Sequence, residues 1–325
     1  MISGERRQDI GVTVVPLASN RVPRNPSLSV IIPAYRAQAT LPRVLQALLA
    51  QLTPDVEVIV VDSSGVEQAS QLQASHDWVT VIGLAQRTLP GCARNLGADR
   101  ANGSQLVFLD ADAVPTADWL ARLRSAAVDG AVAVAGAVTN GTPGNAVGTA
   151  SYLLEFSEFM PHRQGVPVHG ASCNLLVQRS AFVQSGGFCE DLWPGEDTVL
   201  TVPWAQRGHL AFSAGAGVRH LNRTRLLELI RHQFRLGRSF AVVCDQVEFP
   251  YRRFSHWPLL LFAPILRAGA LAGRLRGRGG RPRNAVRVAA LVTLGLVAWT
   301  IGVAHERSLG KLTATRRSGS RSALS

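Results

Sequence analysis

Short apolar runs alternate with helix-like segments along the first half of the chain, and this alternation is the strongest constraint on the fold. The apolar runs are residues 29–33, 56–61, 79–84, 105–109 and 131–138. The segments with helical character are residues 40–51, 66–75, 91–100 and 117–127. Strands that alternate with helices of about a dozen residues are typical of β-α-β units. The sequence therefore predicts an α/β fold with a mostly parallel central sheet and helices on both faces.

The fourth apolar run leads directly into two aspartates in the stretch LVFLDADAVP, residues 106–115. Asp110 and Asp112 are predicted to lie where a buried strand leaves the sheet. In an extended continuation of the strand, residues i and i+2 point to the same side. Two carboxylates so close repel each other unless a positive charge lies beside them. The motif therefore predicts a divalent cation that carries an anionic ligand.

Two other strands also end in residues suited to ligand binding. Pro33, Ala34 and Tyr35 follow the first run, and Asp62 follows the second. In open sheets of parallel strands, ligands bind beyond the carboxyl ends of the strands. These residues and the aspartates are thus expected to converge on one edge of the sheet. For Asp62 alone, a helix N-cap or an Asx turn is the structural alternative.

Composition excludes several classes of site. The chain has 325 residues, of which 46% are hydrophobic and 17% charged, as suits a globular enzyme with some membrane character. The net charge of +12 is carried almost wholly by arginine, since Lys311 is the only lysine. A phosphate-binding loop ending in Gly-Lys-Ser/Thr is therefore absent. The four cysteines form no Cys-x-x-Cys pair and are interpreted as reduced thiols.

The last third of the chain indicates membrane contact. Two apolar runs, residues 257–273 and 288–304, have arginine-rich sequence between them. A bilayer-spanning helix needs ~20 apolar residues, and the first run is short. The preference for positive loops on the cytoplasmic side favours shallow insertion of the first run, with the basic loop on anionic lipid. Whether the second run crosses is left open, and a buried helical hairpin is the alternative.

The positions of these features predict three regions and a location. They are an N-terminal leader at 1–27, a catalytic domain at 28–245 and membrane-associated helices with a polar tail at 246–325. The predicted location is the cytoplasmic face of the cell membrane. Because the tail arginines accompany apolar runs and not exposed aromatics, lipid is favoured over nucleic acid as a partner.

Four segments together resemble a known enzyme family. They are SVIIPAYRAQATLPRVLQALLAQ, VEVIVVDSSG, GCARNLGADRANGSQLVFLDADAVP and GGFCEDLWPGEDTVLTVPWAQRGH. In order and spacing they resemble family 2 glycosyltransferases, and the resemblance covers about residues 28 to 245. It implies the Rossmann-like GT-A fold. It also implies sugar transfer from a nucleotide-diphosphate sugar to an acceptor hydroxyl, with inversion and with Mg²⁺ or Mn²⁺ as cofactor.

The resemblance also implies roles for individual residues in binding the donor and the metal. A divalent cation offsets the charge that develops on the leaving diphosphate, and hard oxygen ligands suit it. The metal ligands implied are Asp112, with Asp110 sharing the metal shell or facing the ribose, and His220. The nucleotide-binding residues implied are Pro33, Ala34, Tyr35, Asp62 and Arg94, and Arg238 is expected to meet the departing phosphates.

The acidic pair Glu196-Asp197 occupies the position of the family's catalytic acids. Asp197 is therefore expected to act as the general base that takes the acceptor proton, with Glu196 in support. The alternative is that acids simply suit the first turn of a helix. The Gln-x-x-Arg-Trp signature of processive relatives is absent, which favours single-sugar transfer. The expected acceptor is a glycan, a small molecule or a lipid-linked molecule, with an envelope or lipid-linked acceptor favoured.

Two other enzyme classes share parts of this pattern. A haloacid-dehalogenase-like phosphotransferase would use Asp110 as a covalent nucleophile. That motif normally opens its fold, however, and those enzymes usually need a downstream lysine. A nucleotidyltransferase would share the sheet and the metal, but it usually has a Gly-rich basic loop after its first strand. Residues 33–40, PAYRAQAT, do not supply such a loop.

Overall fold

The computed structural model describes the backbone of residues 12–14, 25–127, 130–275 and 284–322, with side chains for residues 25–127, 130–275 and 284–309. The chain divides into two compact units. The first comprises Met1–Gly141 and Phe159–Leu221, and the second comprises Thr142–Glu158 and Asn222–Ser325. The boundary after Leu221 differs from the predicted boundary after residue 245. The assignment of residues 28–245 to catalysis stays a prediction.

The first unit is built on one sheet, for which nine strands lie in the described residues. They are β1 (Val12–Val14), β2 (Leu28–Ala34), β3 (Val56–Asp62), β4 (Thr80–Leu84), β5 (Gln105–Leu109), β6 (Ala113–Pro115), β7 (Ala133–Asn140), β8 (Asn174–Gln178) and β9 (Leu210–His220). Their order is β1-β4-β3-β2-β5-β8-β7-β9-β6. The strands β4, β3, β2 and β5 are mutually parallel, whereas β1, β6 and β8 pair antiparallel with their neighbours.

Ten α-helices complete the described chain. They are α1 (Leu41–Leu49), α2 (Val66–Ser75), α3 (Pro90–Arg100), α4 (Trp119–Ser125), α5 (Ala146–Phe156), α6 (Arg179–Gln184), α7 (Glu196–Gln206), α8 (Leu226–Gln246), α9 (Ala263–Leu275) and α10 (Ala285–Ser322). Short 3₁₀ turns lie at Ser157–Phe159, Arg252–Ser255 and Leu259–Phe262.

The central strands are buried on both faces. All seven residues of β3 are buried although successive side chains point to opposite faces, so both faces of the sheet are covered there. The core contains an aromatic cluster in which the ring of Phe108 lies 5.2 Å from that of Phe182 and 4.8 Å from that of Phe188. The predicted α/β fold with a mostly parallel central sheet is confirmed.

Three parts of the sheet differ from the sequence-based expectation. β8 is inserted antiparallel between β5 and β7, so the predicted strand at 131–138 does not pair directly with the strand before it. β9 was not predicted because its sequence, LAFSAGAGVRH, is glycine-rich and does not alternate apolar with polar residues. β1 lies within the predicted leader, where it pairs with β4.

A bulge between β7 and β9 shapes the edge of the sheet near the predicted site. The pairing shifts between Gly136 and Ala137 of β7. The side chain of Asn174 in β8 fills the bulge, where its Nδ2 donates to the carbonyls of Ala137 and Ala216, both at 2.9 Å. A side chain at Gly136 would collide with this amide, because its Cβ would lie 2.2 Å from Asn174 Nδ2. This arrangement sets the course of β9 towards His220.

The second unit is helical. Its core joins Ala241, Leu260, Ala263, Trp299 and Val303. Within the described residues, one helical segment, Ala285–Leu309, is long and apolar enough to cross a membrane, with a mean hydropathy of 1.9 and half of its apolar window buried. Only the length and the composition of this segment support a membrane-spanning role. The segment contains the predicted apolar run 288–304, and most of the predicted arginine-rich loop lies outside the described residues.

Candidate active site at the carboxyl ends of the strands

The two aspartates that follow β5 lie in a turn. Residues 110–112 connect β5 to β6, and the backbone N–H of Ala113 donates to the carbonyl of Asp110 at 3.0 Å. The expected extended continuation of the strand was therefore wrong. The proximity of the carboxylates arises instead because the turn folds back into β6, which pairs with the end of β9.

That pairing brings His220 to the aspartates. Ala113 of β6 lies opposite His220, and His220 Nε2 lies 3.3 Å from Asp112 Oδ1. One ligand atom from each of Asp110, Asp112 and His220 lies within 4.8 Å of the others. The histidine side chain is buried, whereas those of Asp110 and Asp112 are 28% and 41% exposed. Two carboxylates and an imidazole form a donor set that fits Mn²⁺ or Mg²⁺.

Arg94 of α3 joins this cluster to the acidic pair of α7. Its guanidinium donates to Asp110 Oδ1 at 2.6 Å and to Glu196 Oε1 at 2.7 Å, and its side chain is only 3% exposed. Gly91 permits this approach, because a Cβ there would lie 2.9 Å from the carbonyl oxygen of Cys189 and 3.4 Å from Glu196 Cγ. Arg94 therefore binds two carboxylates from distant parts of the sequence.

Around Arg94, carboxylates outnumber the single guanidinium. Burial alone would lower the pKa of Arg94, but Asp110, Glu196 and Asp197 outweigh it and raise that pKa above its ordinary value. Burial raises the pKa of Glu196 to about 7, an effect that Arg94 opposes and Asp197 reinforces. One guanidinium thus serves a surplus of carboxylates, and the site retains an excess of negative charge.

Asp197 is held at the start of α7 by a residue that sequence reasoning missed. Ser172 donates to Asp197 Oδ2 from its backbone N–H at 3.1 Å and from its hydroxyl at 3.3 Å. The backbone N–H of Thr198 donates to Oδ1 at 2.7 Å. These contacts fix the orientation of a partly exposed carboxylate. The sequence around Ser172, HGASCNLLV, contains no pattern that indicates this role.

The residues predicted to frame a nucleotide lie at the ends of β2 and β3. Ala34 pairs opposite Asp62, so the two strands end side by side. Asp62 is buried, and its Oδ1 accepts the backbone N–H of Ser64 at 2.9 Å. This contact is the Asx turn that was the structural alternative for Asp62, and its role towards a ligand stays a prediction. Pro33 is the last but one residue of β2.

Tyr35 is an exposed ring with two arginines close to it in space. The guanidinium carbon of Arg36 lies 5.2 Å from the ring centroid and that of Arg87 lies 4.8 Å from it. Arg87 follows β4 and was not predicted. Arg238 belongs to the second unit, where its Nε donates to Glu306 Oε2 at 2.7 Å. Its predicted contact with a diphosphate stays a prediction.

Comparison with known proteins identifies the family. Residues 29–185 match the model of the glycosyl transferase family 2. Residues 29–185 are a family 2 glycosyltransferase domain. Two relatives align with this glycosyltransferase over nearly their whole length. The glycosyltransferase AglE of Haloferax volcanii is 28% identical over 90% of this chain and 97% of its own. The succinoglycan biosynthesis protein ExoM of Rhizobium meliloti is 26% identical over 94% and 93%.

Structural comparison confirms the fold of this glycosyltransferase as GT-A. The mannosyltransferase PcManGT from Pyrobaculum calidifontis, solved in complex with GDP-Man and Mn²⁺, superposes with a TM-score of 0.58. The similarity covers 87% of each chain at 21% sequence identity. The expected fold, family and enzyme class are thus confirmed, and the phosphotransferase and nucleotidyltransferase alternatives have no support.

Proposed function

We propose that this glycosyltransferase moves a single sugar from a nucleotide-diphosphate sugar to an acceptor hydroxyl, with inversion and with Mg²⁺ or Mn²⁺ bound. The cluster of Asp110, Asp112 and His220 carries this proposal. Its hard oxygen donors suit a cation that binds a diphosphate. PcManGT was solved with GDP-Man and Mn²⁺, which is consistent with such a donor and metal on this fold.

In this proposal Asp112 is the main carboxylate ligand of the metal, with His220 and Asp110 completing the protein's share of the shell. The metal would supply Lewis-acid stabilisation of the leaving diphosphate. Because His220 is buried and its Nε2 already faces Asp112, little reorganisation of the protein is needed to present both donors together. Asp110 has a second task, since its Oδ1 also accepts from Arg94.

Asp197 is proposed as the general base. A carboxylate that accepts a proton must be ionised, accessible and correctly oriented. Asp197 is partly exposed, and Ser172 and Thr198 hold its two oxygens in place. In-line attack by an acceptor hydroxyl that transfers its proton to this carboxylate leads to inversion at the sugar carbon. Ser172 is thus proposed as a positioning residue.

Glu196 is proposed to support the base through Arg94. The buried carboxylate of Glu196 lies 2.7 Å from the guanidinium, which in turn lies 2.6 Å from Asp110. This bridge couples the position of α7 to the turn that carries the metal ligands. Arg94 was predicted to reach the base or phosphates. Its burial between two carboxylates favours an orienting role in addition.

The donor nucleotide is proposed to lie at the ends of β2 and β3, with Pro33, Ala34 and Tyr35 framing it and Asp62 accepting from its base or ribose. The exposed face of Tyr35 can stack on a base, and the nearby Arg36 and Arg87 can offset phosphate charge. Arg238 remains the proposed contact of the departing phosphates.

The acceptor is proposed to be an envelope glycan precursor or another lipid-linked molecule, met at the cytoplasmic face of the membrane. The apolar segment Ala285–Leu309 supports association with a membrane. ExoM, which aligns with most of this chain, is named for succinoglycan biosynthesis. The missing Gln-x-x-Arg-Trp signature favours addition of one sugar over polymer synthesis.

A screen of nucleotide sugars tests the reaction. The purified full chain is incubated with GDP-, UDP- and dTDP-sugars and Mn²⁺ or Mg²⁺, and released nucleoside diphosphate is measured. We expect release from one donor class, loss with a chelator and recovery when metal is restored. Release of pyrophosphate or a trapped aspartyl-phosphate would contradict the proposal, and so would turnover that survives complete removal of metal.

A further inference from the structure

Helix α9 in the second unit has the reverse of the polarity expected for a helix of a soluble protein. Its large apolar residues Ile265 and Leu266 are 69% and 49% exposed, and Phe262 just before it is 55% exposed. Only Ala263 and Leu271 of this helix are buried. A surface helix in water normally turns its apolar stripe towards the core and its charges outwards.

The two arginines of α9 point into the unit. The guanidinium of Arg267 lies over the ring of Trp299 at 4.4 Å and donates to the carbonyl of Leu154 at 3.4 Å. Arg274 donates to Ser157 Oγ at 2.9 Å and forms an ion pair with Glu158. The charges of α9 are therefore used inside the protein, which leaves an apolar outer face. Such a face in water is unusual and marks a surface that meets a partner.

Helix α10 has a second apolar outer face. The exposed residues include Val286, Leu294, Val297 and Ile301, with exposed fractions of 86%, 48%, 46% and 55%. Their spacing of eight, three and four residues places them on one side of the helix. The other side is buried and contains residues such as Trp299. One side of the apolar segment thus packs against the protein, and the other side faces its surroundings.

The buried side of α10 is locked onto α8. Two glycines allow their backbones to touch: a Cβ at Gly237 would lie 1.9 Å from the carbonyl oxygen of Trp299, and one at Gly302 would lie 2.1 Å from that of Phe234. Close approach through small residues gives extensive helix contact. Any movement of this part of α10 into a bilayer would therefore carry α8 with it.

Helix α8 is unsuited to hydrocarbon. Its exposed residues include Arg231, Arg235 and Arg238, whose spacing of four and three residues places them on one face. Arg238 is level with the apolar segment of α10, since it pairs with Glu306 there. Arginines at the centre of a bilayer are costly. Crossing by α10 would bring this face into the membrane.

We infer that the outer faces of α9 and α10 lie in one leaflet of an anionic bilayer and that α10 does not cross it. The exposed Arg252, Arg253 and Arg287 match anionic headgroups in charge, and Trp257, which is 67% exposed, suits the interface. This inference extends the proposed membrane location. It does not depend on the proposed reaction, because its test measures attachment.

The first experiment measures flotation of the full chain with vesicles of phosphatidylglycerol or phosphatidylcholine. We expect binding to the anionic vesicles, reduced about ten-fold or more by Ile265→Asp because an apolar side chain no longer inserts. Leu227→Asp, on α8, is the matched control at 55% exposure and should float like the wild type. Ile301→Asp is the second test variant, should Ile265→Asp unfold.

Equal flotation of both test variants and the wild type, or no binding by the wild type, would overturn the inference. Donor hydrolysis by Ile265→Asp is measured in the same preparations. If hydrolysis is absent from every variant while flotation follows the expected order, the proposed reaction fails and the inference on attachment stands. If hydrolysis is normal and the substitutions do not change flotation, the proposed reaction stands and the inference on attachment fails.

The second experiment determines whether α10 crosses. The full chain, with different epitope tags at its two ends, is bound to sealed inside-out membrane vesicles and treated with protease. Attachment to one leaflet predicts that both tags are digested without detergent. Protection of the C-terminal tag while the N-terminal tag is digested would contradict the inference.

Discussion

Two buried clusters, one in each unit, pair arginine with carboxylate, and their charge balance is opposite. In the first unit, Arg94 serves both Asp110 and Glu196. In the second, the single carboxylate of Glu155 receives Arg223 Nη1 at 3.1 Å, His232 Nε2 at 3.2 Å and Ser151 Oγ at 2.8 Å. The first cluster has one guanidinium for several carboxylates. The second has several donors for one acid.

The pKa directions follow this balance. Burial works to raise the pKa of Glu155, but His232 and Arg223 outweigh it and hold that pKa well below its ordinary value. Glu196 shows the opposite direction, because burial raises its pKa, Asp197 adds to that effect, and the opposing Arg94 is shared with Asp110. The comparison indicates that a satisfied cluster stabilises a fold, whereas a cluster with surplus negative charge is suited to a cation.

The largest effect is expected at the proposed base of the acid-rich cluster. Asp197→Asn should lower turnover about a thousand-fold, because the amide cannot accept the acceptor's proton. Thermal unfolding should change little, since the amide oxygen can still accept from Ser172. The exposed Asp191→Asn is the matched control. Turnover of Asp197→Asn within a few-fold of the wild type would exclude Asp197 as the base.

In the cluster around Glu155, a substitution should lower the stability of the fold. Glu155→Gln leaves Arg223 and His232 without their anionic partner and should lower the free energy of unfolding by about 3 kcal/mol. Glu228→Gln, at an exposed carboxylate 3.9 Å from Arg225, should cost less than about 0.5 kcal/mol. Urea denaturation compares the two. Equal effects would remove the distinction between the clusters.

Glu196 should make the stability of the protein depend on pH. A carboxyl with a folded pKa of about 7, above its unfolded value, binds more protons in the folded state between those two values. Its contribution to stability is therefore present at low pH and is lost as pH rises towards 7. In metal-free protein we expect about 3 kcal/mol of such loss.

Glu196→Gln should flatten this pH dependence of the unfolding free energy, whatever its effect at a single pH. Urea midpoints measured in chelator from pH 5 to 7.5 provide the test. An unchanged slope would show that the carboxyl of Glu196 does not titrate in this range. Glu155→Gln keeps Glu196, so the same series on this variant should show the wild-type pH dependence.

The smallest expected effect concerns the positioning of Asp197. Ser172→Ala removes one of two donors to Oδ2 and should lower kcat about five-fold, with little change in KM. Ser172→Thr keeps a hydroxyl and should restore most of the loss. If neither substitution changes kcat, or if only KM changes, the hydroxyl does not orient the base.

Local patterns predicted the first half of the chain well and the site in part. The run LVFL before Asp110 and the apolar stretch before Asp62 specify buried strands by themselves, and β3, β5 and α2 begin and end within one residue of their predicted bounds. The common edge follows because parallel strands end together. These features depend on contacts between neighbours in sequence.

The parts of the fold and the site that were not predicted depend on contacts between residues far apart in sequence. β8 and β9 are recognisable only through their partners, since β9 has a glycine-rich sequence and a bulge that Asn174 fills from another strand. Arg94 meets Glu196 across 102 positions, and Ser172 meets Asp197 across 25. No local pattern encodes such pairs. The family resemblance supplied Asp197, but only the structure brought Ser172 to it.

Direct titration of Mn²⁺ into the full chain tests the central claim that the acid-rich cluster holds a cation. We expect the wild type to bind one ion and Asp112→Asn to bind at least about a hundred-fold more weakly, with unchanged thermal unfolding because Asp112 is 41% exposed. Asp118→Asn, at an exposed residue whose side chain makes no cap hydrogen bond, should bind like the wild type. Equal affinity of Asp112→Asn and the wild type would contradict the account.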